Sequence, residues 1–195
     1  MARADSPQKI VMTIGHSTRP IEEFIGLLQT NSVERLVDVR TIPRSRHNPQ
    51  FNSDSLSKSL GAAGIAYTHL KELGGLRKPK ADSRNTAWRN SSFRGYADYM
   101  QTPEFEAALG KLLGLAKTKQ CAIMCAEAVP WRCHRSLIAD ALLARKIPAE
   151  HIISGSHRQP HELTSFAKIR GEQVIYPAAK NDKTPKKKSK QLKLV

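Results

Sequence analysis

Four short apolar runs, each broken by glycine or a polar residue and each followed by a helix-like segment, do most to constrain this fold. Lys9–Gly15 (KIVMTIG) has the length of a buried strand and is too short for a core helix. In the HSTRP that follows, Thr18 or Ser17 is placed to cap a helix, with Pro20 in its first turn and Glu22 and Glu23 at its positive end. Phe24, Leu27 and Leu28 give that helix its apolar face. Leu36–Val39 (LVDV) is the second strand. Arg40 then opens a loop containing Pro43 and Pro49, and Ser55–Ala63 reads as a helix stopped by Gly64. Ala66–Leu70 alternates as a third strand. Helices are expected over Ala97–Met100 and Glu104–Ala116, the latter opened by the Thr102–Pro103 pair. Cys121–Cys125 (CAIMC) is the fourth strand, and Cys133–Arg145 an amphipathic helix facing the core with Leu137, Ile138, Ala141 and Leu142. His151–Ile153 is a fifth strand and Gln173–Tyr176 the candidate for a sixth.

This alternation predicts an α/β fold, a single three-layer domain with helices on both faces of a mostly parallel sheet of five to six strands. Its expected limits are an extension over 1–8, the domain over 9–176 and a Lys-rich, disordered tail over 177–195. A chain of 195 residues, 39% of them hydrophobic, buries a core without staples. Its three cysteines are an odd number for a secreted disulfide framework. No apolar run reaches the roughly 18–20 residues that span a bilayer. The polar start MARADSPQK lacks a signal-peptide core, so a cytoplasmic protein without membrane contact is expected.

Charge points toward a partner class. Lys and Arg number 32 against 17 Asp and Glu, a formal net charge of +15; residues 180–195 carry +6 of it and the rest +9. Such a field attracts polyanions, nucleic acid above all, or serves only as a solvated basic surface.

In parallel sheets, ligands bind outside the carboxyl ends of the strands. There the first strand delivers His16 and Ser17, the second Asp38 and Arg40, and the fourth Cys125 and Glu127, followed by Arg132, Cys133, His134 and Arg135 at the next helix start. Three strands carrying such side chains to one edge mark a site. A helix N-terminus beside arginines favours an anion and lowers a thiol's pKa. The Cys-x5-Arg loop of cysteine phosphatases does not fit, because six residues separate Cys125 from Arg132. A metal could draw on Cys125, Cys133 and His134, with His16. Cys133 and His134, adjacent on a helix, would point about 100° apart, so neither a metal nor another cofactor is expected. Asp38 and Glu127 suit proton transfer, or in the case of Asp38 an ion pair with a neighbouring arginine.

Two loops look like walls of the same site. Arg40–His47 carries Arg44 and Arg46. The irregular stretch Gly74–Gly95 mixes Arg84, Arg89 and Arg94 with Trp88 and Phe93, a basic and aromatic pattern suited to single-stranded nucleic acid, or equally to aromatics docked on the core. His157 and His161 read as surface or site-edge residues in a polar loop.

Several of these segments together (TIGHS at 13–17, LVDVR at 36–40, Pro43 with Ser45, LGG at 73–75, Phe93 followed by YADYM, and MCAE…CHRSLIAD at 124–140) resemble the prokaryotic family called domain of unknown function 488, over about residues 11–163. The resemblance implies an α/β fold with a shared polar site and names no reaction. The residues it carries over are His16, Ser17, Asp38, Arg40, Cys125, Glu127, Cys133, His134 and Arg135.

The leading expectation is binding of a phosphate-bearing ligand, a nucleotide or nucleic acid, with hydrolysis as its chemistry. Asp38, Cys125, Glu127, Cys133 and His134 are then the catalytic set, and His16, Ser17, Arg40, Arg132 and Arg135 the ligand-binding set. Arg44, Arg46, Arg84, Trp88, Arg89 and Arg94 would contact nucleic acid. The alternatives are a non-catalytic nucleic-acid module using the loops and tail, and a cysteine-based redox or metal sensor.

Overall fold

A computed structural model describes residues 10–179. The expected extension and nearly all of the expected tail lie outside that range. Of the tail, residues 177–179 are described, and the Ala178 N–H donates to Thr86 Oγ1 at 3.2 Å.

The α/β expectation holds. Strands β1 (Val11–Gly15), β2 (Arg35–Asp38), β3 (Ala66–His69), β4 (Cys121–Cys125), β5 (Ala149–Ser154) and β6 (His157–Pro160) form one sheet in the order β3-β2-β4-β1-β5-β6. The first five are parallel, and β6 runs antiparallel to β5. Helices α1 (Ile21–Thr30) and α2 (Ser53–Ala62) cover one face; α3 (Ser91–Tyr99), α4 (Pro103–Thr118) and α5 (Arg135–Ala144) cover the other.

Period-two alternation divides β1, β2 and β4 between two cores. Met12, Ile14, Leu36, Ala122 and Met124 pack with Phe24, Leu28, Leu56 and Leu60 of α1 and α2. Val11, Val37, Val39 and Ile123 pack with Tyr96, Phe105, Leu112, Leu137 and Ile138 of α3–α5. Each fully buried leucine or phenylalanine contributes about 1.5–3 kcal/mol of transfer free energy, so helix placement follows directly from strand alternation.

Four expectations need correction. The sixth strand of the sheet is His157–Pro160, whose four residues are all exposed; Gln173–Ile175 (β8) pairs instead with Lys168–Arg170 (β7) in a separate hairpin. Neither Ser17 nor Thr18 caps α1. Ser17 takes a left-handed φ of 50° and its N–H continues the ladder to Ala126 O at 2.9 Å, leaving Pro20 at the cap position. The irregular stretch is shorter than expected, because Asn90 accepts from the N–H groups of Ser92 and Phe93 and starts α3 at Ser91. Finally, α5 starts at Arg135. A 3-10 turn over Pro130–Arg132 leaves Cys133 extended, at φ −135° and ψ 145°.

Candidate functional site

The carboxyl ends of β2, β4 and β1 lie side by side, and a cavity of about 630 Å³ opens over them. His16, Ser17, Arg40, Arg44, Cys125, Glu127, Arg132, Cys133 and His134 line it. Asp38 pairs with Met124, so Cys125, one residue further along β4, leaves the opposite face of the sheet and the cavity has two walls of different composition.

The first wall is centred on Asp38, fully buried at the end of β2. Arg40 donates its backbone N–H and Nε to Oδ1 at 3.0 and 2.9 Å, and Nη2 to Oδ2 at 2.6 Å; the Tyr67 hydroxyl donates to Oδ2 at 2.8 Å. These four bonds occupy the carboxylate's lone pairs. Arg40 Nη2 also donates to Phe51 O, and Nη1 lies 3.3 Å from His16 Nε2. The His16 ring stacks on Phe51 at 4.2 Å, and its Nδ1 donates to Ser17 O at 2.7 Å, which leaves Nε2 as the acceptor for Arg40. Burial lowers the His16 pKa, so the ring is neutral. Burial and the adjacent carboxylate hold the Tyr67 phenol well above its usual range. Asp38 and Arg40 thus form the ion pair that the sequence left open as one reading, and nearly all their polar atoms are engaged within the wall.

The second wall holds two thiols and an imidazole. Cys125 ends β4, Cys133 follows the 3-10 turn, and His134 precedes α5. His134 Nδ1 lies 3.9 Å from Cys125 Sγ and 3.7 Å from Cys133 Sγ, while its Nε2 donates to Val39 O at 3.2 Å. The Tyr96 ring packs at 5.0 Å from the imidazole. Gly75 makes the close approach possible, since a Cβ there would stand 2.5 Å from His134 Nδ1. The hydrogen bond from Cys133 pulls the Cys125 thiol well below its usual pKa against the effect of burial, with His134 acting the same way; that bond raises Cys133 in turn.

Arg135 does not line the cavity. It is buried, and Nη2 donates to Glu127 O and Ala128 O at 2.8 and 2.7 Å, bracing the loop after β4. Its Nη1 passes over Gly15, where a Cβ would lie 2.9 Å away. The exposed cations on the cavity wall are Arg44 and Arg132, and Glu127 is an exposed carboxylate there.

Residues 20–142 match the family model described as Domain of unknown function DUF488. The chain belongs to the DUF488 family. No curated protein and no solved structure matches it. The DUF488 span takes in Asp38, Arg40 and the whole run from Cys125 to Asp140, and starts after His16 and Ser17.

The remaining nucleic-acid candidates scatter. Arg46, Arg84 and Arg89 are exposed and do not line the DUF488 cavity, and Arg94 Nε is bonded to Trp88 O at 3.0 Å. Trp88 stacks on Phe93 at 4.7 Å and meets Phe166 and Tyr176 edge-on or tilted, so it is docked against the core. His157 is exposed in β6, but His161 is no surface residue. It links His151 Nε2 at 3.0 Å to Asp140 Oδ1 at 2.9 Å, and His151 Nδ1 reaches Thr13 Oγ1 at 2.7 Å. Burial, helped by His161, pushes the His151 pKa down to about 4.

Sequence reasoning missed Tyr67, Ile42 and Leu76. Tyr67 gave no signal, because an alternating strand does not reveal which neighbour it touches. Ile42 and Leu76, 62% and 73% exposed at the cavity rim, could have been found as large apolar residues stranded in basic loops. Among the described residues, no helix is long and apolar enough to cross a membrane.

Proposed function

We propose that the cavity binds a phosphate-bearing ligand of nucleotide size and hydrolyses it. One observation carries the reading: exposed Arg44 and Arg132 face the same 630 Å³ space as the Glu127 carboxylate, under a rim made apolar by Ile42, Leu76 and Phe93. Guanidinium groups suit phosphate, and apolar side chains suit the face of a base. Arg40 holds the floor in shape and keeps few N–H groups for a ligand. Asp38 acts as a positioning residue, since its lone pairs are already taken. Glu127 is the group able to move a proton at the ligand, and His134 keeps Nδ1 directed at the two thiols.

Nucleic acid is a longer form of the same ligand chemistry, with Arg46 beside the cavity to meet its backbone. The test is binding of a fluorescent nucleoside diphosphate and of a labelled single strand by the full chain, across a salt series. Arg44→Ala with Arg132→Ala should weaken nucleotide binding about tenfold or more while the far-ultraviolet spectrum stays unchanged. Glu127→Gln should bind the ligand but release no product. Nucleotide affinity indifferent to both arginines refutes the reading. Strand binding that depends on Arg84 and Arg89 instead would favour the non-catalytic module.

A further inference from the structure

We propose that Cys125, Cys133 and His134 form a zinc-class metal site whose fourth position opens into the cavity. The expectation of no metal rested on Cys133 and His134 sharing a helix. They do not share one: Cys133 is extended and α5 begins only at Arg135, so the two side chains converge rather than diverge.

The distances suit an ion. The three donor atoms all lie within 4.8 Å of one another, and the two sulfur–nitrogen separations are 3.9 and 3.7 Å. A tetrahedral zinc with ordinary bond lengths separates sulfur from nitrogen by about 3.6 Å and sulfur from sulfur by about 3.8 Å. Only shifts of a few tenths of an ångström on the sulfur–nitrogen edges are required. His134 is oriented as a ligating histidine is, with Nε2 donating to the Val39 carbonyl and the Nδ1 lone pair left toward the sulfurs.

The scaffold is also fixed. Cys125 belongs to the β4 ladder. Cys133 is pinned on both sides, its N–H donating to Pro130 O and its carbonyl accepting from Ser136 N and Oγ. Two sulfurs and one imidazole select a borderline-soft ion. Three protein donors with an open side are the pattern of a reactive zinc rather than a structural one. Glu127, two residues beyond Cys125, lines the same cavity and is not one of the three donors, which leaves it free to serve a water at the open position. A zinc held by sulfur and nitrogen donors beside a non-ligand glutamate is the arrangement used for hydrolytic deamination of nucleobases.

The site stands independently of the nucleotide reading, which concerns only what meets the open position. The test begins with full-length protein carrying no added histidine tag, expressed with zinc and dialysed, and its metal measured by mass spectrometry. About one zinc per chain is expected. Cobalt replacement should give intense visible d–d bands with sulfur-to-cobalt charge transfer in the near ultraviolet. Cys133→Ser and Cys125→Ser should each weaken cobalt binding about 100-fold or more. Cys121→Ser, at the opposite end of β4 from the cavity, should leave it unchanged, and Arg132→Ala should leave metal content unchanged even where it abolishes nucleotide binding. Wild-type protein that retains no metal and shows no sulfur charge transfer overturns the proposal. So does a Cys125–Cys133 disulfide found in place of the ion, which would make the pair a redox device.

Discussion

Asp38 and Cys125 leave neighbouring strands at nearly the same level of the sheet, one toward each face, and their surroundings differ in kind. Asp38 is met by four hydrogen-bond donors at 2.6–3.0 Å, all from its own β2–β3 side of the sheet. Cys125 has a thiol and an imidazole at distances suited to sharing something between them. A saturated polar cluster holds shape, because any new partner must first displace an existing one. A cluster with unspent lone pairs at a cavity is where a ligand or ion gains by entering. Both walls carry family-like residues, and only the second is free to react.

The largest effect should come from opening the saturated wall. Asp38→Ala leaves the Arg40 guanidinium buried without its partner and should cost about 3–5 kcal/mol in urea unfolding, whereas Cys125→Ala in metal-free protein should cost about 1 kcal/mol. Equal losses would erase the distinction between the walls. Tyr67→Phe removes one donor of the four and should cost about 1.5–2 kcal/mol, with the cavity residues still reacting normally toward thiol reagents. The smallest effect is a slope. His16 has its pKa lowered in the fold, so the unfolded chain takes up the proton first as pH falls below about 6.5. Stability is then full above that pH and declines beneath it. His16→Gln should flatten the decline in melting temperature without abolishing it, because His151 contributes with the same sign down to about pH 4. A mutant as steep as the parent would contradict the neutral, buried His16.

The sheet was legible wherever hydrophobic burial decides structure. VMTIG, LVDV and CAIMC are buried on both faces, and such runs can be little else. His157–Pro160 was not legible, because a fully exposed edge strand is held by backbone bonds to β5 that leave no mark on its side chains. The site edge was readable from the rule of strand carboxyl ends, which brought His16, Arg40, Cys125, Glu127, Cys133 and His134 to one place. The orientation of each side chain was not. Cys133 and Arg135 sit in what reads as one helical run, and only the turn imposed at Pro130 sends the first to the cavity. Arg135 turns inward because Gly15 on β1 offers no Cβ to obstruct it.

The strand order has a consequence for how the chain comes together during synthesis. The central strand, β4, is inserted between β1 and β2, which do not pair with each other, and β5 adds to the far side of β1 only afterwards. A growing chain that has emerged only through α4 therefore has its first and second strands waiting for a neighbour some hundred residues away in sequence, roughly the separation that makes folding slow. Both hydrophobic cores stay open until Cys121–Cys125 arrives, and the same five residues bring the first thiol of the cavity. Nascent fragments ending before β4 should be the species that chaperones hold and proteases clear, and folding and assembly of the site should finish in a single late event.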